Sequence, residues 1–183
     1  YITYPALCLF SGLTIIDYNY FYCFLSVIIH ETAHLAAMVI CKSPFCGVKI
    51  SVFEIKIIEK SRHILDYKRD LIITSAGPLA NILFFILFFS ASVNFAVINL
   101  LIGAFNLLPA AGLDGGQMIY LLLSKHFSGR ISAIILDIIT VIISIPLFVL
   151  GILVLFRSAY NFSLLLVSMY LILSLFIKED KYL

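Results

Sequence analysis

The sequence predicts an all-α polytopic membrane protein with about six transmembrane helices and a short membrane-surface β-hairpin or strand region after the second helix. Hydrophobic residues make up 63% of the 183 positions and charged residues only 12%, whereas a soluble domain is about half apolar and about a quarter charged. The second observation that predicts this fold class is that the sequence contains long apolar runs without a charged residue. This composition excludes a soluble or disordered protein, and a formal charge of +2 is too small for a nucleic-acid-binding protein.

Six apolar runs approach or reach the roughly 20 residues that a spanning helix needs. The stretch 71–111 contains no charged residue and is too long for one helix, so we expect a break at the polar segment 90–94. The predicted spans are 1–16, which is slightly short, 21–41, 71–89, 94–109, 131–156 and 159–177.

The charged residues between these spans predict the orientation of the protein in its membrane. Eleven of the twelve Lys and Arg residues lie in 42–70, in 109–130 or in the tail after 177, and Arg157 is the remaining one. With six spans, those three segments share one side. Because cytoplasmic loops carry an excess of Lys and Arg, we expect both termini in the cytoplasm.

The segment 42–70 is the largest one expected outside the membrane. Within it, residues 48–59 alternate between apolar and polar, and the phase slips at Phe53, which is typical of a bulged strand or a short hairpin. Such a strand could pair with an extended segment of another protein, and a surface hairpin without that contact fits equally well. We interpret 1–183 as a single domain with this insertion and without a PDZ or CBS domain.

The sequence HETAH, residues 30–34, lies in the middle of the second apolar run. Positions i and i+4 of a helix share one face, so His30 and His34 can bind one metal ion. Glu31 lies beside them, where its carboxylate can face water at the metal. Ionisable residues inside a membrane helix are costly to insert and need partners. We therefore interpret this segment as a metal site.

A catalytic zinc site takes three protein ligands and leaves one position for water. Two acids in apolar surroundings, Asp114 and Asp137, could supply the third ligand. Asp114 follows Pro109, which ends a helix, and has three glycines nearby that let the backbone approach a metal. Asp137 lies alone in an apolar run, where it could instead be protonated, bond to a neighbouring helix or line a water path. We favour Asp114 and keep Asp137 as the alternative.

These motifs resemble those of the site-2 protease family of intramembrane zinc metalloproteases, peptidase family M50. About 70 residues after HETAH, the segment 106–115 matches the family pattern N-x-x-P-x-x-x-L-D-G, and AGPLAN at 76–81 is similar to the family's GPxxN element. The six-span layout and short length are most similar to the branch of stage IV sporulation protein FB. That branch often has a C-terminal CBS domain, and Gln117 stands where the family commonly has Arg.

The resemblance implies that His30, His34 and Asp114 bind one zinc ion per chain and that Glu31 is the general base. It also implies that Asn106 positions the substrate or stabilises the oxyanion. The implied activity is that of a zinc metalloendopeptidase of a bacterial cell membrane, which cleaves membrane-embedded or membrane-associated regulatory proteins. A sporulation sigma-factor precursor is the substrate implied by the closest branch, and anti-sigma factors or signal-peptide remnants are implied by the wider family. Regulatory membrane proteins are further candidate partners, and nucleic acid is not expected.

Two other classes of membrane protein compete with this interpretation. A metal-ion or solute transporter could also use intramembrane His and Asp, but the sequence shows no inverted repeat, and transport does not require Glu beside paired His. Another class of zinc membrane protease uses a downstream Glu as its third ligand. After Glu59 the only Glu in this sequence is Glu179, in the tail, so that class lacks its ligand here.

Overall fold

The fold is helical apart from two short strands in the part of the chain that the structure describes. A computed structural model describes residues 18–43, 45–50, 55–59, 67–158 and 163–176, so the predicted span 1–16 lies outside the described residues. In chain order the elements are α1 (Tyr18–Ile40), β1 (Phe45–Ile50), β2 (Ile55–Glu59), α2 (Tyr67–Phe88), α3 (Val93–Asn106), α4 (Asp114–Ser124), α5 (Gly129–Ser158) and α6 (Ser163–Phe176). They form two compact units that meet in sequence between Leu107 and Leu108.

The first unit is built on α1, α2 and α3. Aromatic rings pack at the end where α2 leads into α3: the ring centroids of Phe88 and Phe95 are 5.3 Å apart, and those of Tyr22 and Phe95 are 5.5 Å apart. Toward the other end, a β carbon placed on Gly103 of α3 would lie 3.1 Å from the Asn81 β carbon of α2. The glycine therefore lets α2 and α3 approach closely, as small residues do between membrane helices.

The uncharged run 71–111 is divided where the sequence predicted a break. Helix α2 ends at Phe88 and α3 begins at Val93. The Phe88 carbonyl accepts hydrogen bonds from the N–H groups of Ala91 and Ser92, at 3.1 and 2.8 Å. These bonds close the turn and satisfy a helix-terminal carbonyl, as is necessary where water is scarce.

The strands β1 and β2 pair antiparallel, with Val48 opposite Ile57 and Ile50 opposite Ile55. They lie in the segment for which the sequence predicts strand. The pairing is irregular between Phe45 and Gly47. The predicted slip at Phe53 and the rest of the connection 51–54 lie outside the described residues.

The second unit contains α4, α5 and α6. The backbones of α5 and α6 approach closely at Gly151, where a β carbon would lie 2.9 Å from the Leu165 nitrogen. Helix α4 lies in 109–130, which was predicted to be a loop, so that prediction is wrong for residues 114–124. Its Gly115 and Gly116 lower helix propensity, but Asp114 in the first turn favours a helix N-terminus, and Leu121 is buried.

Three of the described helices are long and apolar enough to cross a membrane: α1, α2 and α5. Helices α3 and α6 are apolar but shorter, at 14 residues each, so the count of six spans stays a prediction. Large apolar side chains cover outward faces, and Val39 and Ile40, for example, are each 78% exposed. Such surfaces are stable when lipid covers them.

Candidate metal centre

His30 and His34 face each other from successive turns of α1. Their Nε2 atoms are 3.1 Å apart, and their rings meet edge to face, with centroids 4.8 Å apart and planes at 79°. His30 is only 4% exposed, and His34 is partly buried. The prediction that the i, i+4 spacing brings the two imidazoles together is therefore confirmed.

A backbone hydrogen bond orients the ring of His34. Its Nδ1 atom lies 2.7 Å from the carbonyl oxygen of Ile73 on α2. A carbonyl can only accept, so Nδ1 carries the proton, and Nε2 of the neutral ring keeps its lone pair. A histidine that binds a metal usually donates its other ring N–H in this way.

The distance between the imidazole nitrogens suits zinc. Two ligands of a tetrahedral zinc ion, each about 2.0–2.1 Å from the metal, lie about 3.3 Å from one another. The 3.1 Å between the Nε2 atoms of His30 and His34 is close to that value. The spacing of the two imidazoles and the tautomer of His34 therefore fit a zinc ion.

Gly77 of α2 lies directly against both imidazoles. A β carbon at this position would be 2.7 Å from Nε2 of His30 and closer still to Nε2 of His34, whereas real β carbons keep at least 3.0 Å from such atoms. A side chain here would displace the rings. The sequence predicts no role for Gly77 beyond its place in the AGPLAN resemblance, because the contact depends on how α1 and α2 pack.

Glu31 follows His30 on α1 and is partly buried. Successive helix residues are about 100° apart around the axis, so Glu31 lies beside the imidazole face rather than on it. The neighbouring Thr32 hydroxyl donates to the carbonyls of Ile28 and Ile29, at 2.8 and 3.0 Å. Its hydroxyl is thus used within its own helix, and Glu31 is the one carboxylic acid of residues 30–34.

Asp114 begins α4 and follows an irregular, buried segment. Ala110, Ala111 and Leu113 are buried, and Gly112 has φ of 89°, a left-handed conformation that glycine adopts readily. The N–H of Leu113 donates to the Ala110 carbonyl at 3.1 Å. Irregular backbone at membrane depth occurs where it is buried in protein or lines a wet cavity.

Two further contacts hold this segment in place within the second unit. A β carbon on Gly116 would overlap the Ala110 carbonyl oxygen, so glycine is needed for α4 to pack on the preceding loop. The N–H of Ala111 donates to the Thr140 hydroxyl of α5 at 2.8 Å. Thr140 could not be identified from the sequence, because no short motif marks it.

Asn106 and Asp137 were the other candidates from the sequence. Asn106 is the last residue of α3, and its side-chain N–H donates to the Ile102 carbonyl at 3.0 Å. Asp137 is partly buried in the continuous helix α5. The structure thus brings His30 and His34 together, while the roles of Asn106, Asp114 and Asp137 stay predictions.

Comparison with known proteins supports the resemblance found in the sequence. A family model for peptidase family M50 matches residues 90–150, which include Asn106 and Asp114. The solved structure of the site-2 protease from Methanocaldococcus jannaschii is similar in fold, with a TM-score of 0.67 and 22% identity, over 92% of this chain and 83% of that chain. No curated protein matches. The resemblance to the site-2 protease family is confirmed, while the layout of the sporulation branch stays a prediction.

Proposed function

Because the chain has the fold and motifs of the site-2 protease family, we propose that it is an intramembrane zinc endopeptidase. Its substrates are membrane-embedded or membrane-associated regulatory proteins. The observation that carries this proposal is the imidazole pair of His30 and His34, 3.1 Å apart at Nε2 with the His34 tautomer set by Ile73. A general base, Glu31, lies next to this pair in the sequence.

Three residues hold one zinc ion per chain in this proposal: His30, His34 and Asp114. Two imidazoles and one carboxylate suit zinc and leave a position open for water. When bound, zinc would supply Lewis-acid chemistry, because it lowers the pKa of a bound water toward neutral pH and polarises a carbonyl.

In this proposal Glu31 transfers the proton, and Asn106 positions the substrate or stabilises the oxyanion. The Glu31 carboxylate accepts a proton from the attacking water and later gives it to the nitrogen of the leaving amine, so one residue serves as base and then as acid. Asn106 offers an amide that can donate to the substrate carbonyl oxygen as negative charge develops there. Its present donation to Ile102 would be exchanged for that contact.

A transmembrane substrate must unwind before its peptide bonds can be attacked. The strand pair β1–β2 offers an edge to which an extended segment could add as a further strand. If the sporulation branch is correct, the substrate is a sigma-factor precursor; otherwise anti-sigma factors and signal-peptide remnants fit the same chemistry. Both termini are cytoplasmic in this proposal, in a bacterial cell membrane.

The proposed function is tested by identifying and then reconstituting the cleavage. Membrane proteins of cells that express the wild-type chain or the Glu31→Gln variant are compared for peptides with new termini. A protein cut only by the wild type is purified and mixed with purified enzyme in liposomes. We expect cleavage that a zinc chelator abolishes and that added zinc restores. Zinc uptake into the liposomes without cleavage would favour the transporter instead.

A further inference from the structure

We infer that Thr140 is a positioning residue that holds Asp114 in place through the backbone of Ala111. This inference rests on the proposed function and deepens it, because it assigns to α5 a part in building the zinc site. Thr140 does not itself act as a ligand in this assignment. It acts on the segment that carries the ligand.

The hydroxyl of Thr140 makes two hydrogen bonds with complementary directions. Its O–H donates to the Leu136 carbonyl at 2.8 Å, which is the usual bond of a threonine inside a helix. Its oxygen accepts from the N–H of Ala111 at 2.8 Å. Because the hydrogen is used within α5, a lone pair is fixed toward the loop. Thr140 is 0% exposed, so water does not compete for either bond.

The loop between Ala111 and Asp114 transmits this constraint. Only Gly112 and Leu113 lie between them, and Gly112 has the left-handed backbone conformation. The N–H of Leu113 donates to Ala110, and the N–H of Gln117 donates to Leu113 at 3.0 Å, closing the first turn of α4. The start of α4 is therefore fixed relative to Ala111, and Ala111 is fixed to α5.

Removal of the Thr140 oxygen would leave the Ala111 N–H buried without this acceptor. Such a group carries a large desolvation penalty, so the loop would shift to find another partner. A zinc ligand must lie within about 0.2 Å of its proper distance. A small displacement of Asp114 is therefore expected to weaken zinc binding.

Ser144, one helical turn further along α5, provides a matched control. It is 1% exposed, and its hydroxyl donates to the Thr140 carbonyl at 2.7 Å. Like Thr140, it is a buried hydroxyl that bonds within its own helix. Ser144→Ala therefore reports what the loss of a buried hydroxyl does to α5 itself.

The experiment measures the zinc dissociation constant of purified full-length protein in detergent, by competition with a chelator, together with the midpoint of thermal unfolding. The variants are Thr140→Val, which keeps the shape and removes the oxygen, Thr140→Ser, which keeps the oxygen, and Ser144→Ala. We expect Thr140→Val to bind zinc about tenfold more weakly, because removal of a group that holds a metal ligand in place typically lowers metal affinity by about that factor or more. Thr140→Ser should stay within about twofold of the wild type, and Ser144→Ala should bind zinc like the wild type.

Two outcomes would overturn the inference: Thr140→Val that binds zinc as tightly as the wild type, or Thr140→Ser that loses as much affinity as Thr140→Val. If Thr140→Val does not fold, Thr140→Cys replaces it, because a thiol is a weaker acceptor of similar size. Wild-type affinity in Thr140→Cys would then also overturn the inference. A wild-type chain that binds no zinc would instead contradict the proposed function, so the two failures are distinguishable.

Discussion

His30 and His34 hold their Nε2 atoms 3.1 Å apart on one face of α1. The 2.7 Å bond from His34 Nδ1 to Ile73 fixes which nitrogen of that ring has a lone pair available. A buried imidazole pair with this geometry, inside a helix long and apolar enough to cross a membrane, is costly to insert unless it has a partner. Zinc is the partner that suits these donors.

The contact of Gly77 with both imidazoles predicts that this position tolerates no side chain. In Gly77→Ala the new β carbon would lie 2.7 Å from His30 Nε2, so the rings must move apart. We expect zinc affinity to fall about 100-fold, measured as zinc per chain and by chelator competition. Gly129→Ala is the matched control, because among the described residues its β carbon would meet only the end of the flexible Tyr120 side chain, at 3.1 Å. Full zinc affinity in Gly77→Ala would show that the imidazole pair is not the site.

Substitutions of Asp114 and Asp137 are expected to differ in their effect on zinc binding, because Asp114 is the proposed third ligand and Asp137 is not. We expect Asp114→Asn to lose most of its zinc, because a neutral amide is a poor ligand for this cation. Asp137→Asn should keep one zinc per chain and part of the activity, because an amide can still form hydrogen bonds inside α5. Zinc per chain is measured in both purified variants, with His34→Ala as the control for ligand loss. The reverse pattern would transfer the ligand role to Asp137.

The eleven-to-one distribution of basic residues predicts the topology. A reporter fused after Leu183 should behave as cytoplasmic, and one inserted near Asn94, at the start of α3, should behave as external. The side of the membrane on which each reporter lies is measured by its accessibility to a reagent that does not cross the membrane. An external C-terminus would contradict the six-span arrangement.

Much of the fold follows from hydropathy and charge. The uncharged run 71–111 is too long for one helix, and its break lies between Phe88 and Val93 as predicted. Helix α4 was not predicted, because two glycines after Asp114 argue for a turn, and its helix depends on packing against Ala110. Pro109 was expected to end the fourth span, and α3 ends three residues before it, at Asn106. Proline has no N–H to donate and disfavours helical backbone in the preceding residue, so the Leu107 N–H makes the last helical bond, to the Gly103 carbonyl.

Some residues of the candidate site could likewise be predicted from the sequence, and others could not. His30 and His34 could be predicted as a pair, because a helix places i and i+4 on one face whatever surrounds it. Gly77 and Thr140 could not be assigned their roles, because each acts through a contact between helices far apart in sequence. Hydrophobic periodicity shows which residues are buried in a soluble helix, but in a membrane protein every face is apolar, so it gives little information about which helices meet.

Glu31 tests the central claim most directly, because it takes part in the chemistry without holding the metal. The measurement is the cleavage rate of zinc-loaded Glu31→Gln against that of the wild type, on the membrane substrate identified in cells. We predict one zinc ion per chain in both proteins and a cleavage rate in the variant that is lower by at least about 100-fold, since a general acid–base residue contributes that much or more. A zinc-loaded Glu31→Gln variant that cleaves at the wild-type rate would contradict the proposed mechanism.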